Sequence, residues 1–225
     1  MKKFFVLFFL LACTGNILAQ ASFKVSVADK KRIVTGSQEF SKSDNEIFAN
    51  ALLWAIDRGS QLKETIVNCD YENMRFTMAY SIVQEGGNTF TADLTIQVGQ
   101  HRMVYLVSNI KGLPNGLSAF LGATPFNKMN PEKKPKQQEM ITEFETLNKK
   151  ELQALLKYVD TKSTVTSRWE AITQGQLEKG MTEDEVILIL GKPVDVQKSG
   201  STKQMMYNQF TYVFFENDVV KSFMQ

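Results

Sequence analysis

The segment 180–193 constrains the fold most, because it contains both the start and the stop signals of one helix. Thr182 is a favoured N-cap residue, and Glu185 follows it at the spacing of a capping box. Gly191 and Pro193 then end the helix, since glycine accommodates the final turn and proline cannot continue it. A helix this short is marginal on its own, so the sequence predicts that it docks on a neighbouring surface.

The residues after this helix predict that surface. Runs rich in aromatic and β-branched residues occupy 205–208, 210–215 and 219–224, and Glu216, Asn217 and Asp218 form a turn between the last two. Such runs separated by turn residues are typical of antiparallel strands. The C-terminal part is therefore predicted to be a small α+β domain, one helix plus a three-stranded antiparallel sheet, over residues 169–225.

A resemblance to a known family rests on several residues of this region. They are Ile172-Thr173-Gln174-Gly175, Gly180-Met181-Thr182, Glu185-Val186 and Leu190-Gly191-Lys192-Pro193, followed by the aromatic hairpin. In order and spacing they resemble the SmpA/OmlA (BamE-like) family of small outer-membrane lipoproteins. The fold of that family resembles one repeat of the β-lactamase inhibitor protein. The resemblance implies a non-enzymatic interaction module of the Gram-negative envelope that supports outer-membrane protein assembly.

The N-terminus predicts export. Lys2 and Lys3 precede an apolar run at 4–12, and small residues lead to a cleavage position after Ala21, which is the anatomy of a secretory signal peptide. An alternative is acylation of Cys13, because Leu-Leu-Ala-Cys at 10–13 approximates a lipobox. We favour cleavage after Ala21, and either route predicts a periplasmic, outer-membrane-associated or extracellular protein. No later segment approaches the roughly 20 apolar residues of a membrane span.

Composition excludes several classes of partner. The chain has 26 Lys+Arg and 24 Asp+Glu, and loss of residues 1–21 removes two lysines, so the mature chain is formally neutral. A neutral chain argues against nucleic acid, which requires a clustered basic excess. Only Cys69 then remains, so no intramolecular disulfide can form. With 43% hydrophobic residues, the chain can be stabilised by burial alone.

Residues 22–160 predict a second α+β domain. Phe23, Val25 and Val27 alternate as in a strand, and residues 44–56 have the three-to-four spacing of a buried helix. Four strands are predicted at 64–69, 74–83, 90–98 and 103–110, and an amphipathic helix at 137–159 covers one face of them. Residues 161–168, rich in Ser and Thr, are the predicted linker.

The resulting order, β-α-β-β-β-β-α, resembles that of an envelope family of unknown function with a TATA-binding-protein-like (TBP-like) fold. That resemblance rests on element order and apolar pattern, and it carries no catalytic residues. The overall prediction is α+β, with a TBP-like domain followed by an SmpA-like one.

No catalytic or metal site is predicted. His101 is the single histidine and falls in a tight turn, while Cys69 ends an apolar strand, where a buried thiol is the common case. One histidine and one mature cysteine are too few for a His/Cys zinc site. The carboxylates occupy helix starts and solvated faces, so they do not indicate a metal or catalytic cluster. No cofactor is predicted. A hydrolase acting on envelope material remains an alternative that would depend on His101, Cys69 or these carboxylates.

Two regions are candidate partner-binding surfaces. The long segment 112–135 is apolar for a loop, so it either folds onto the core as a lid or exposes a binding patch. The second candidate is the C-terminal sheet, whose aromatic residues either form an exposed face or pack under the 182–190 helix. The candidate binding residues are Leu117, Phe120, Leu121, Phe126, Tyr207, Tyr212 and Phe214.

Overall fold

The computed structural model describes residues 23–28, 31–58, 66–83, 87–114, 122–164 and 166–225. The predicted signal peptide, with Cys13, and the binding candidates Leu117, Phe120 and Leu121 lie outside these residues. Within the described part of the chain, no helix combines the length and the apolar character needed to cross a membrane.

The N-terminal part is built on a seven-stranded antiparallel sheet. Its spatial order is β1-β2-β6-β5-β4-β3, and β7 pairs with β6 beyond the end of β2. The strands are β1 (Ser26–Ala28), β2 (Lys31–Glu39), β3 (Ile66–Asp70), β4 (Arg75–Val83), β5 (Thr89–Gly99), β6 (Arg102–Leu113) and β7 (Thr124–Pro125).

Two helices, α1 (Asp44–Arg58) and α2 (Pro135–Thr161), cover one face of this sheet. The buried positions of α2 recur every three to four residues, as an amphipathic helix requires. They are Ile141, Phe144, Asn148, Leu152, Leu155 and Val159. Helix α1 contacts the sheet, α2 and a C-terminal helix, so it is buried almost all round from Ile47 to Ile56.

The C-terminal part contains two short helices and a second antiparallel sheet with the order β11-β10-β9-β8. Its elements are α3 (Trp169–Thr173), α4 (Glu183–Leu190), β8 (Asp195–Ser199), β9 (Thr202–Met206), β10 (Tyr212–Glu216) and β11 (Val219–Met224). The predicted capping box of α4 is confirmed: the Thr182 N–H donates to Glu185 Oε2 at 2.8 Å, and the Glu185 N–H donates to Thr182 Oγ1 at 3.3 Å. Gly191 ends the helix with a φ of +82°, a backbone conformation that residues other than glycine rarely adopt.

The two parts share one apolar core. Phe48 of α1, Tyr71 and Trp169 meet edge to face with ring centroids about 6 Å apart, which joins α3 to the N-terminal sheet. The Tyr71 hydroxyl also donates to the Leu188 carbonyl of α4 at 2.9 Å. The division into two domains stays a prediction, because the sheets are separate but their cores are continuous.

The predicted linker, 161–168, lies against α1. Asn50 is fully buried and its Nδ2 donates to the Val159 and Lys162 carbonyls at 3.2 and 2.7 Å. Its Oδ1 accepts from the Thr164 hydroxyl at 2.6 Å, and Thr164 is itself buried. Lys162 also pairs with Asp184 of α4 at 2.7 Å. These bonds fasten the segment after α2 to both parts of the molecule.

The structure confirms the α+β class and corrects two details. The C-terminal sheet has four strands and not three, because β8 precedes the predicted strands. The N-terminal part has an additional long strand, β2, between the first predicted strand and α1. Both missed strands lack alternating apolar residues: all five residues of β8 are exposed, and only Val34 of β2 is fully buried. Backbone pairing with a neighbour holds them in place.

Candidate functional site

The face of the C-terminal sheet turned away from α4 carries a cluster of large side chains. Tyr212 lies directly across from Met206 on β9 and from Met224 on β11, so these three share one face. The next rung on that face contains Gln204, Phe214 and Ser222. We call these six residues the open face.

The opposite face of the sheet packs under the helix. Val213 and Phe215 alternate with the open-face residues along β10, and both are buried in the core with Val186 and Leu188 of α4. Lys203 lies over the Phe215 ring and bonds to Glu183 at the start of α4. Because side chains alternate along a strand, burial of Val213 and Phe215 leaves Tyr212 and Phe214 half-exposed on the other side.

The centre of the open face carries no charge. Glu216 lies one rung beyond Phe214 and pairs with Lys221 at 2.8 Å, while Asp195 of β8 lies beside Met206. Met224 is 57% exposed, and Phe210, in the loop that leads into β10, is 69% exposed. An apolar and aromatic centre with polar neighbours is the composition of a protein-binding surface.

Tyr207 is not part of this face. Its ring packs partly against the core, and its hydroxyl lies 3.5 Å from Met205 Sδ. Burial raises the pKa of the Tyr207 hydroxyl well above its ordinary value. Tyr207 follows the last residue of β9, and its side chain points to the helix side, so it differs from Tyr212 although both are aromatic residues near β10.

Phe126 is also a core residue, so its assignment to a partner-binding patch is wrong. It is 1% exposed and packs edge to face on Phe90 and Phe144, with ring centroids 6.2 and 5.3 Å away. Met129 is buried as well. The described second half of the long loop therefore folds onto the core, which is the lid alternative, and it does so through β7 and a 3-10 turn at Phe126–Lys128.

The residues that the sequence offered for catalysis or metal binding have contacts that serve the fold. His101 is exposed in the turn between β5 and β6, where its Nδ1 lies 2.7 Å from the Lys42 carbonyl. Burial raises the pKa of the Cys69 thiol to about 11, which disfavours the nucleophilic thiolate. Glu185, fully buried, accepts from the Thr182 and Arg168 N–H groups. No group of three or more His, Cys, Asp or Glu residues that could hold a metal occurs in the described residues.

Comparison with known proteins supports the fold of part of the chain. Neither a protein-family model nor a curated protein matches it. A TBP-like protein from Parabacteroides distasonis is similar in structure over 62% of this chain and 99% of its own, with a TM-score of 0.50 and 11% sequence identity. A DUF4468 family protein from Bacteroides ovatus matches over 63% of this chain and 93% of its own, with a TM-score of 0.47 and 11% identity. The first likeness shows that part of the chain has a TBP-like fold, as predicted.

Tyr212 and Phe214 were among the residues that the sequence offered as binding candidates, but their methionine neighbours were not. Met206 and Met224 lie on different strands, and only the strand register brings them beside Tyr212. The hairpin turn at Asn217 and Asp218 could not have found them. It places Glu216 opposite Val219, but a β-bulge between Phe214 and Phe215 shifts the register before Tyr212 meets Met224, and Met206 is on β9, which this turn does not join. Both turn residues have positive φ, as such a turn requires.

Proposed function

We propose that this chain is a non-catalytic, exported protein that binds another protein of the cell envelope through its open face. The observation that carries the proposal is the position of Tyr212 and Phe214 at the uncharged centre of the open face, on the side of the C-terminal sheet opposite α4. Side chains that served only the core would lie on the helix side, as Val213 and Phe215 do.

The composition of the open face supports a protein partner. Aromatic residues and methionine are enriched at the centres of protein interfaces, and tyrosine is frequent among the residues that dominate binding energy. A sheet displays them rigidly, so little side-chain entropy is lost on binding. Gln204 and Ser222 lie beside the apolar cluster and supply hydrogen-bonding groups.

The envelope as the place of action is part of the proposal. It is supported by the predicted signal peptide and by the resemblance of residues 169–225 to the SmpA/OmlA family. From that resemblance we take only the general role, a small module that contacts other envelope proteins.

The decisive experiment captures partners from the native envelope with wild-type and variant chains. The test variant is Y212S/F214S, and the matched control is Val67→Ser, because Val67 is 68% exposed on β3 of the other sheet. Urea unfolding first establishes that both variants fold. We expect one partner to be retained by wild type and control and lost by the double variant. Equal recovery by all three, or recovery of every chain as a lone monomer, would refute the proposal.

The mass of the mature N-terminus tests the compartment. Cleavage after Ala21 gives a chain that starts at Ser22, and the lipoprotein alternative gives an acylated Cys13. Either product supports export, and the second ties the protein to a membrane. A mature chain that retains residues 1–21 without modification would contradict it.

A second candidate function is a secreted inhibitor or ligand-binding protein, with the open face as the contact surface. The same half-exposed pair, Tyr212 and Phe214, favours it, since a rigid sheet with aromatic anchors can block an enzyme's site. The captured partner distinguishes the two functions. An inhibitor abolishes the partner's enzymatic activity at stoichiometric concentration, whereas an assembly module leaves it intact.

A further inference from the structure

Four lysines lie close together in the segment that leads into α2. They are Lys128, Lys133, Lys134 and Lys136, and all four are exposed. The segment 128–136 contains one acidic residue, Glu132, so four lysines minus one glutamate leave a local charge of +3. We call the four lysines the lysine patch. It is a concentrated charge on a chain whose mature form is formally neutral.

The segment that carries the lysine patch is ordered. Met129 is buried, and the N–H groups of Lys133 and Lys134 donate to the Asn130 carbonyl at 3.3 and 3.1 Å. The Asn130 N–H donates in turn to Gln137 Oε1 in the first turn of α2, at 2.7 Å. The backbone of the lysines is therefore fixed before any partner arrives, and binding costs only side-chain freedom.

The charge of the lysine patch is not neutralised within the described part of the chain. None of its four lysines forms an ion pair there, whereas Lys42 and Lys162 each pair with a carboxylate. The first turn of α2 contains no acidic residue either. A local cationic excess of this kind attracts anions and raises their concentration at the surface.

The composition of the lysine patch favours a lipid surface as the partner. It contains neither arginine nor an aromatic residue, and no large apolar side chain is exposed between residues 122 and 139. Protein interfaces are depleted in lysine and enriched in aromatic residues and arginine, and single-stranded nucleic acid is bound by stacking on aromatic rings. Clusters of lysines without such anchors are typical of contact with anionic lipid head groups.

The position of the lysine patch separates it from the C-terminal part of the molecule. Helix α2 has 27 residues, so it is about 40 Å long. The patch lies at its start, and Lys162, just after its end, pairs with Asp184 of α4. Charges in water act over about 10 Å at 0.1 M salt, so the acidic residues near the far end of α2 do not oppose attraction of the patch to a surface.

We infer that the lysine patch binds an anionic lipid surface, with its ammonium groups among the phosphate head groups. No exposed apolar side chain accompanies the lysines, so the contact is electrostatic and does not enter the hydrocarbon layer. The contact is therefore reversible and sensitive to salt. In both respects it differs from an acyl anchor at Cys13, and it does not require one.

The test measures sedimentation of the mature chain, from Ser22, with lipid vesicles. Starting at Ser22 omits the apolar run at 4–12, which could enter a bilayer by itself. Anionic vesicles contain about 30% phosphatidylglycerol in phosphatidylcholine, and neutral vesicles contain phosphatidylcholine alone. At about 50 mM salt we expect binding to the anionic vesicles only. Near 1 M salt, where charges act over about 3 Å, we expect this binding to be lost.

The variant K133Q/K134Q/K136Q removes three cations from the patch. The matched control, K157Q/K179Q/K198Q, removes three exposed lysines from other surfaces, so the change in net charge is the same. Each lysine near an anionic surface strengthens binding about fivefold, so the patch variant should bind about 100-fold more weakly and the control within about threefold of wild type. Urea unfolding establishes that both variants fold.

Four results would overturn the inference. They are absence of binding to the anionic vesicles, equal binding to neutral vesicles, an equal loss in the two triple variants, and binding that persists near 1 M salt.

Two competitors test the class of partner. Displacement from the vesicles by inorganic phosphate at constant ionic strength would identify a discrete phosphate site, and tighter binding of poly-glutamate than of the vesicles would identify an acidic protein. Either result would refute a lipid surface. None of these outcomes depends on the open face, so the experiment is independent of the proposed protein partner.

Discussion

Replacement of Asn50 by alanine tests whether the segment after α2 is fastened to the molecule or is a free linker. The substitution removes three hydrogen bonds, to the Val159 and Lys162 carbonyls and from the Thr164 hydroxyl. A net hydrogen bond contributes about 1 kcal/mol, and the buried Thr164 hydroxyl left without its partner costs about 1–3 kcal/mol more. The Lys162 carbonyl keeps a bond from Lys42, which reduces the loss. We therefore expect the free energy of unfolding to fall by about 3 kcal/mol.

Urea unfolding measures this change, and an m-value of about 2 kcal/mol/M converts it into a fall of about 1.5 M in the midpoint. Hydrogen exchange gives the local readout, because amides at 162–173 should lose protection more than those of β5. Thr164→Val is the graded variant, since it removes one of the three bonds and keeps the side-chain shape; because it leaves the buried Asn50 Oδ1 without a donor, it should cost about 1–3 kcal/mol. An Asn50→Ala loss below 1 kcal/mol, with unchanged exchange at 162–173, would refute the reasoning.

Two further predictions concern buried groups. Glu185→Ala leaves the Thr182 and Arg168 N–H groups without an acceptor. In urea unfolding it should lower the free energy of unfolding by about 2–4 kcal/mol, against about 0.5–2 kcal/mol for Thr182→Ala. A smaller loss for Glu185→Ala than for Thr182→Ala would contradict the role of the carboxylate. The Cys69 thiol, whose pKa burial raises from 9.0 to about 11, should be alkylated by iodoacetamide about 100-fold more slowly at pH 8 in the folded chain than in urea. Because its folded pKa is above its unfolded value, the stability that this partly buried thiol contributes should be complete below pH 9 and lost as the pH rises towards 11. Alkylation rates within threefold of each other in the two states would count against this burial.

The sequence predicted the elements that bury an apolar face. The α4 capping box, the two long helices and strands β4, β5 and β6 follow from side-chain periodicity, which reflects burial directly. It missed β2 and β8, because strands held by backbone pairing with few buried side chains carry little periodic signal. Gly36 and the polar residues around it hide the strand pattern of β2, although Val34 and Gly36 pair with Val107 and Tyr105.

The candidate surfaces were less predictable than the fold. Alternation along β10 placed Tyr212 and Phe214 on one face, but it did not determine which face the helix covers. Phe126 was assigned to an exposed patch because a loop has no periodicity, and only its packing on Phe90 and Phe144 revealed its burial.

Strand β8 has a further consequence for the behaviour of the protein at high concentration. It is an edge strand of its sheet and pairs on one side only, with β9, so its other row of backbone N–H and C=O groups faces outward. Such an edge strand can pair with a strand from another molecule and begin aggregation. Here the strand is only five residues long and places Asp195 near one end and Lys198 near the other. Burial of these charges in a stack of identical strands would be costly. The polar side chains that gave β8 no recognisable strand pattern in the sequence therefore also protect the protein from self-association.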